Sequence, residues 1–159
     1  MKNNYINIYY ETELTDDGIK NYKLSLIKEK NIIIGHRINL KNNKENILIG
    51  KLLEPNLVEI IELDSKIRKV LYGHITKDGS VYGNWKECNK IDLHNLISKD
   101  NYEIPKSVIK EKLSITNSKI SLGNYLEDKN SFYLKHQKLL DSLSYTDEES
   151  YQYIKKLNN

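Results

Sequence analysis

One cysteine, one methionine, one phenylalanine, one tryptophan and two prolines are all that this chain of 159 residues contains of those types. With Cys88 alone, neither an internal disulfide nor a cysteine-based zinc cluster is available, which excludes a small disulfide-stapled secreted scaffold and favours a cytoplasmic protein. No wholly apolar run exceeds four residues, far short of the ~18 that a spanning helix needs. The first ten residues alternate polar with apolar types and lack the continuous apolar stretch of a signal peptide. No membrane partner is expected. An excess of one charge is missing too: 25 Lys and Arg stand against 22 Asp and Glu, with a balance of +1 over residues 1–104 and +2 over 105–159. Neither part is a polybasic module of the kind that condenses on phosphates.

Catalytic signatures are equally scarce. Among His36, His74, His94 and His136 no His-Glu-x-x-His or His-x-His occurs, so a metal site would have to be assembled from distant segments. His36 and His74 are the candidate pair, as ligands or as acid and base across a curved sheet. Against that stands the plainer reading of two histidines satisfied by ordinary hydrogen bonds. Cys88 has Lys86 and Lys90 nearby, but no Gly-x-Ser-x-Gly or Gly-x-Cys-x-Gly supplies the rest of a nucleophilic site, so it reads as a passive thiol at a strand end. Glu59 and Glu62 flank Ile60-Ile61, and at strand spacing they point to opposite faces, which denies them a shared substrate. Gly79-Ser80-Val81-Tyr82-Gly83 lacks the Lys-Ser/Thr and the following helix of a phosphate-cradling loop. No cofactor and no catalytic residue are expected.

What is present is a rhythm of turns. Clusters at Asp16-Asp17-Gly18, Lys28 to Asn31, Lys41 to Lys44, Glu54-Pro55-Asn56, Asp64-Ser65, Lys77-Asp78-Gly79 and Cys88-Asn89-Lys90 are spaced about a dozen residues apart, as in antiparallel strands joined in sequence. The segments between are rich in Ile, Val, Leu and Tyr, which suit a pleated surface. Residues 5 to 87 thus predict an α+β protein built on a strongly curved antiparallel meander of about seven strands, closed like a barrel or open as half of one. Asp78-Gly79 predicts a tight type I′ hairpin and Asp17-Gly18 a second. Gly35, Gly50, Gly73 and Gly83 lie inside strand-like runs, where a missing side chain marks a bend or the close approach of another backbone. Ile32, Ile34, His36, Ile38 and Leu40 share one face of the third segment, and Ile33, Gly35, Arg37 and Asn39 share the other. The run from Gly73 to Trp85 resembles hairpins in calycin-type meander barrels, a resemblance of fold pattern over some thirteen residues; the lipocalin Gly-x-Trp near the chain start is absent.

After residue 90 the period changes, which divides the chain into a meander over 1–90 and a mainly helical extension over 91–159 packed on it. Ile91, Leu93, Leu96 and Ile97 fit either a short helix or a strand. Pro105 opens a short helix through Leu113, and Ser114 to Gly123 is a linker or another hairpin. Phe132, His136, Leu139 or Leu140, and Leu143 predict an amphipathic helix from about Asn130 or Ser131. Thr146-Asp147-Glu148-Glu149 has the form of a capping box opening a last helix to about residue 157, with Tyr151, Ile154 and Leu157 on its docking face. Runs such as Ile32-Ile33-Ile34, Leu52-Leu53 and Ile60-Ile61 are apolar on both faces, and these helices are the available cover.

Twelve tyrosines are the remaining signal. Tyr72, Tyr82 and Trp85 are neighbours across the Asp78-Gly79 hairpin, and such rings combine large contact area with a hydrogen-bonding tip. Strand propensity and core filling explain the same residues without a function. Between Lys66 and Lys99, seven basic residues, Arg68 and Lys86 among them, face three acidic ones. The candidate binding residues are therefore Tyr72, His74, Tyr82, Trp85, His36, Arg68 and Lys86. The expected function is non-enzymatic: a protein that occludes a partner macromolecule, most simply another protein, as immunity proteins, antitoxins and phage-borne inhibitors do. Two alternatives are a calycin-like barrel holding a small apolar or aromatic ligand against Tyr72, Tyr82 and Trp85, and a β platform for single-stranded nucleic acid.

Overall fold

The computed structural model describes residues 5–53, 55–63, 68–88, 93–98, 104 and 116–157. The helix expected after Pro105, the turn at Asp64-Ser65 and the residues Lys66, Lys90, Ile91 and Lys99 lie outside them. Eight antiparallel strands follow one another around a closed barrel: β1 (Tyr5–Thr15), β2 (Gly18–Glu29), β3 (Ile32–Asn39), β4 (Glu45–Leu53), β5 (Leu57–Leu63), β6 (Arg68–Ile75), β7 (Val81–Cys88) and β8 (Asn117–Asp128). Three helices are added, α1 (Leu93–Ser98), α2 (Lys129–Thr146) and α3 (Glu148–Leu157). The meander and the helical cover over it are thus as the sequence predicts, and the sheet closes.

The eighth strand is a correction. From Asn117 on, the segment read as a linker or a hairpin belongs to one long strand, pairing with β1 from Leu14↔Asn117 to Tyr5↔Asp128 and with β7 at Val81↔Ile120. Its alternation is hard to see because most of its outward residues are polar and two extra residues bulge out of it. Asn7 pairs with Leu126 but Tyr9 with Leu122, so two steps of β1 are matched by four of β8.

Register sorts the side chains onto two faces. Leu24, Ile33, Leu48, Val58, Ile60, Leu71, Trp85 and Ile120 fill the inside of the barrel. On the outer wall Ile47, Ile49, Ile61, Leu63, Val70 and Cys88 pack beneath Leu93, Leu140, Leu143 and Ile154 of the helices. This is why Ile60-Ile61 is apolar on both sides: one residue faces the lumen and the next faces a helix. The third strand follows the same rule, since Ile33, Gly35 and Arg37 turn inward while His36 is buried on the outside. Curvature draws on the strand glycines. A Cβ built on Gly50 would run into the carbonyl oxygen of Glu59 and lie 3.0 Å from the Cα of Ile60, so only glycine lets β4 and β5 approach there.

Local details depart from the sequence reading at three points. The first hairpin turns on Asp16-Asp17, with Thr15 opposite Gly18 and a positive φ at Gly18 alone (114°), so Asp17-Gly18 does not form a type I′ turn. The turn after β6 is not type I′, because only Gly79 (φ 85°) takes a positive φ; Gly79 N–H donates to Thr76 and Thr76 N–H to Ser80, closing a wider loop. The cap of α3 is Asp147, whose carboxylate accepts from the backbone N–H of Ser150 at 3.2 Å, one residue later than expected. Asp147 also ends α2, donating its own N–H to Leu143. An Asp at the junction thus serves two helices, where the capping-box pattern supposes one. Asp128 opens α2 by accepting from Ser131. Phe132, His136, Leu140 and Leu143 then form its buried stripe. Among the described residues no helix is long and apolar enough to cross a membrane.

Candidate functional site

The inner face carries a charged cluster at the end of the barrel away from the β1 N-terminus. Tyr22 of β2 lies opposite Glu11 of β1 and Arg37 of β3 lies opposite Leu24, while Glu62 projects from β5. The Arg37 guanidinium grips Glu11 with both prongs, Nε to Oε1 at 2.7 Å and Nη2 to Oε2 at 2.8 Å, and reaches Glu62 through Nη1 at 3.1 and 3.2 Å. Its Cζ lies 3.5 Å from the Tyr22 ring centroid and 4.4 Å from that of Trp85. Glu11 Oε2 also accepts from Trp85 Nε1 at 2.8 Å and from Ser118 Oγ at 2.6 Å, and Tyr22 donates to Glu13 at 3.2 Å.

The electrostatics follow from this closure. Burial disfavours the charged Arg37, yet Glu62 and Glu11 outweigh it and hold the guanidinium firmly protonated. Burial, with Glu13 and Glu11 behind it, pushes the Tyr22 phenol up to about 12 against the opposing pull of Arg37. Arg37 is 2% exposed, Glu11 1% and Trp85 2%. A cluster so sealed has no face to offer a substrate; it plugs the barrel and fixes the register of β1, β2, β3, β5, β7 and β8 around one guanidinium. Among the described residues no group of three or more His, Cys, Asp or Glu is placed to hold a metal ion.

The candidates named from sequence scatter over three places. Trp85 is inside, in the plug. Tyr72, His74, Tyr82 and Lys86 are on the outer face of β6 and β7, with His74 in register with Tyr82 and Tyr82 with Lys119, whose Nζ sits 5.6 Å from the Tyr82 ring. A single pocket lined by Tyr72, Tyr82 and Trp85 is therefore corrected: alternation puts the indole on the opposite side of the sheet from the two phenols. Arg68 is also outside, but it is engaged by α3, bonded to Asp147 and, at 2.8 Å, to Ser150. In the basic stripe Lys69 turns to the inner face opposite Glu62 and Glu87, so the stripe does not form one surface. Burial pushes the Cys88 thiol up, against a weaker pull from Arg68, in keeping with a passive role.

His36 and His74 do not meet. His74 is exposed on β6, whereas His36 is buried on the outer wall of β3, and its partner is His136 of α2, Nε2 to Nδ1 at 2.8 Å. The ring of Phe132 stacks on His36 with centroids 4.3 Å apart.

A feature that sequence reasoning missed lies along the margin where β1 meets β8. Tyr5, Tyr10, Leu122, Tyr125, Leu126, Tyr133 and Leu134 are all between 38% and 69% exposed. They belong to β1, β8 and the first turns of α2, which leaves β8 directly; by register Tyr5, Leu122 and Leu126 share the lumen-side face with Tyr9, while Tyr10 stands on the outer face. The Tyr10 ring lies over Gly123, where a Cβ would meet it at 2.5 Å. The available signal was Tyr125-Leu126 next to a run of polar residues in a segment with no apolar partner of its own. Comparison with protein-family models, with curated proteins and with solved structures finds no match for this chain.

Proposed function

We propose that the protein is a non-enzymatic binding module that occludes a partner protein with the exposed residues of β1, β8 and the start of α2. The observation that carries this reading is the exposure of seven large apolar side chains along β1, β8 and the start of α2, with Tyr5, Leu122 and Leu126 on the lumen-side face and Tyr10 on the outer one. Tyr and Leu at such density are what partner surfaces use for contact area, and exposed apolar patches on a folded chain mark places of association. The plugged lumen supports the same reading from the other side. Arg37 and its carboxylates occupy the space in which a small barrel would hold a ligand, and the two phenols expected to line that space face outward.

The test is a triple variant, Tyr125→Ala, Leu126→Ala and Tyr133→Ala, used beside the unaltered chain as bait in extracts of the native host. The unaltered protein is expected to retain a partner at one-to-one stoichiometry, and the variant to lose it with an unchanged melting temperature. Retention of the same partner by the variant, or no stoichiometric partner for either, overturns the proposal.

A further inference from the structure

The outer wall beneath α2 holds a second buried polar group, and the barrel itself does not need it. Ile8, Ser25, His36 and Ile47 stand in register across β1 to β4 on one face, and all four are buried. Phe132 and His136 of α2 close over this row. Only one proton can occupy the 2.8 Å gap between His36 Nε2 and His136 Nδ1, so at most one ring can be charged while the contact holds, and burial disfavours the charged form of both. His36 Nδ1 is buried with no hydrogen-bond partner, so a proton added there creates a charge with nothing to receive it. A proton on each ring turns the shared bond into two N–H groups facing each other.

We propose that the His36–His136 contact is an acid-released latch: protonation of the two rings frees α2, and α3 packed behind it, from the barrel wall while the barrel stays closed. Among the described residues the charges around the pair favour release. Lys135, one residue before His136, adds a positive charge beside the pair. The acids that reach α2 from β4 and β8, Glu45 and Glu127, are taken up by Lys135 at 3.4 and 3.0 Å, and Lys23 of β2 also acts on Glu45. On β3 the neighbouring Arg37 points into the lumen. The barrel has its own closure, because β1 and β8 pair along nine positions and the Arg37 cluster contains no helix residue. Release would uncover Ile47, Ile49, Ile61, Leu63 and Val70 on the wall.

Direction agrees with geometry. Burial, then the neighbouring His136 and Lys135, hold His36 at about 3, and burial lowers His136 as well. Free imidazoles titrate near ~6.5. A released helix therefore binds more protons than a docked one below that value, so docking is complete above it and weakens as the pH falls.

Amide hydrogen exchange, corrected for the intrinsic rate at each pH, tests the latch. Between pH 6.5 and 4.5 the protection of α2 and α3 is expected to fall about tenfold per pH unit for each proton taken up, with strand amides unchanged. In His36→Leu/His136→Leu the helices should keep the same protection at both ends of that range. Helix protection that does not change in the unaltered protein, loss in step with the strands, or an undiminished slope in the double variant overturns the proposal. Should the double variant not fold, imidazole NMR of the unaltered chain decides. Both rings are expected to titrate together with helix release, and either ring titrating near pH 6.5 under a docked α2 contradicts it.

Discussion

Glu11→Ala is the most informative single perturbation of the barrel. The carboxylate of Glu11 accepts four hydrogen bonds: two from Arg37, one from Trp85 and one from Ser118. Removing one partner of a buried ion pair costs roughly 3–5 kcal/mol, because the other charge is left uncompensated. Stranding a buried N–H or O–H costs about 1–3 kcal/mol each. These terms share one network and do not add, and Arg37 keeps Glu62, so a total loss of about 5 kcal/mol is expected. For a chain of this size that lowers the melting temperature by about 10–20 °C, at roughly 2–4 °C per kcal/mol. Urea titration followed by Trp85 fluorescence measures the loss directly, since the only indole of the chain sits on the affected guanidinium. Glu11→Gln keeps the shape and one acceptor and should lose about half as much. A loss under about 1 kcal/mol for Glu11→Ala would falsify the view that this cluster organises the barrel.

Two further outcomes follow from local geometry. Gly50→Ala drives a Cβ against the backbone of β5 and should cost more than about 2 kcal/mol, whereas Gly79→Ala, with open space around it and only its positive φ to oppose it, should cost about 1 kcal/mol in the same urea titration. Burial raises Asp147, but hydrogen bonds from Arg68 and Ser150 outweigh it and hold the carboxyl below its usual range. Its contribution is therefore present above the ordinary carboxylate range and lost as the pH falls through the depressed value. Asp147→Asn should destabilise by about 1–2 kcal/mol at pH 7 and show a shallower loss in acid; an unchanged acid limb in the unfolding profile would contradict the role assigned to it.

The periodic part of the fold was legible because its cause is local. Turn clusters such as Lys28 to Asn31 and Lys41 to Lys44, β-branched runs between them and a three-and-four spacing around Phe132 are each decided within a dozen residues. Closure was not legible, because the pairing of Tyr5 with Asp128 joins positions at opposite ends of the barrel's sequence and no short window contains it. The plug was hidden for the same reason, although rarity pointed to it. Of 25 cationic side chains only Arg37 and Arg68 are arginines, and both hold buried or half-buried carboxylates that a bidentate fork suits better than an ammonium. The single Trp lies on Arg37 and the single Phe on His36. Tyr9, Glu11 and Glu13 recur every second residue, a polar stripe that strand alternation alone assigns to either face. Only Arg37, 26 residues later, turns it inward.

Closure by the last strand has a consequence for biosynthesis. Ser118, the last of the donors to the Glu11 carboxylate, and the whole of β8 are made nearly thirty residues after β7 ends at Cys88. Until they emerge, β1 and β7 are unpaired margins of an open sheet, each able to template addition of a foreign strand. Such distant pairing is slow to form. A nascent chain stalled before residue 117 is consequently the species that depends on chaperones, while in the finished barrel β8 pairs with β1 along nine positions and with β7 over Val81–Gly83.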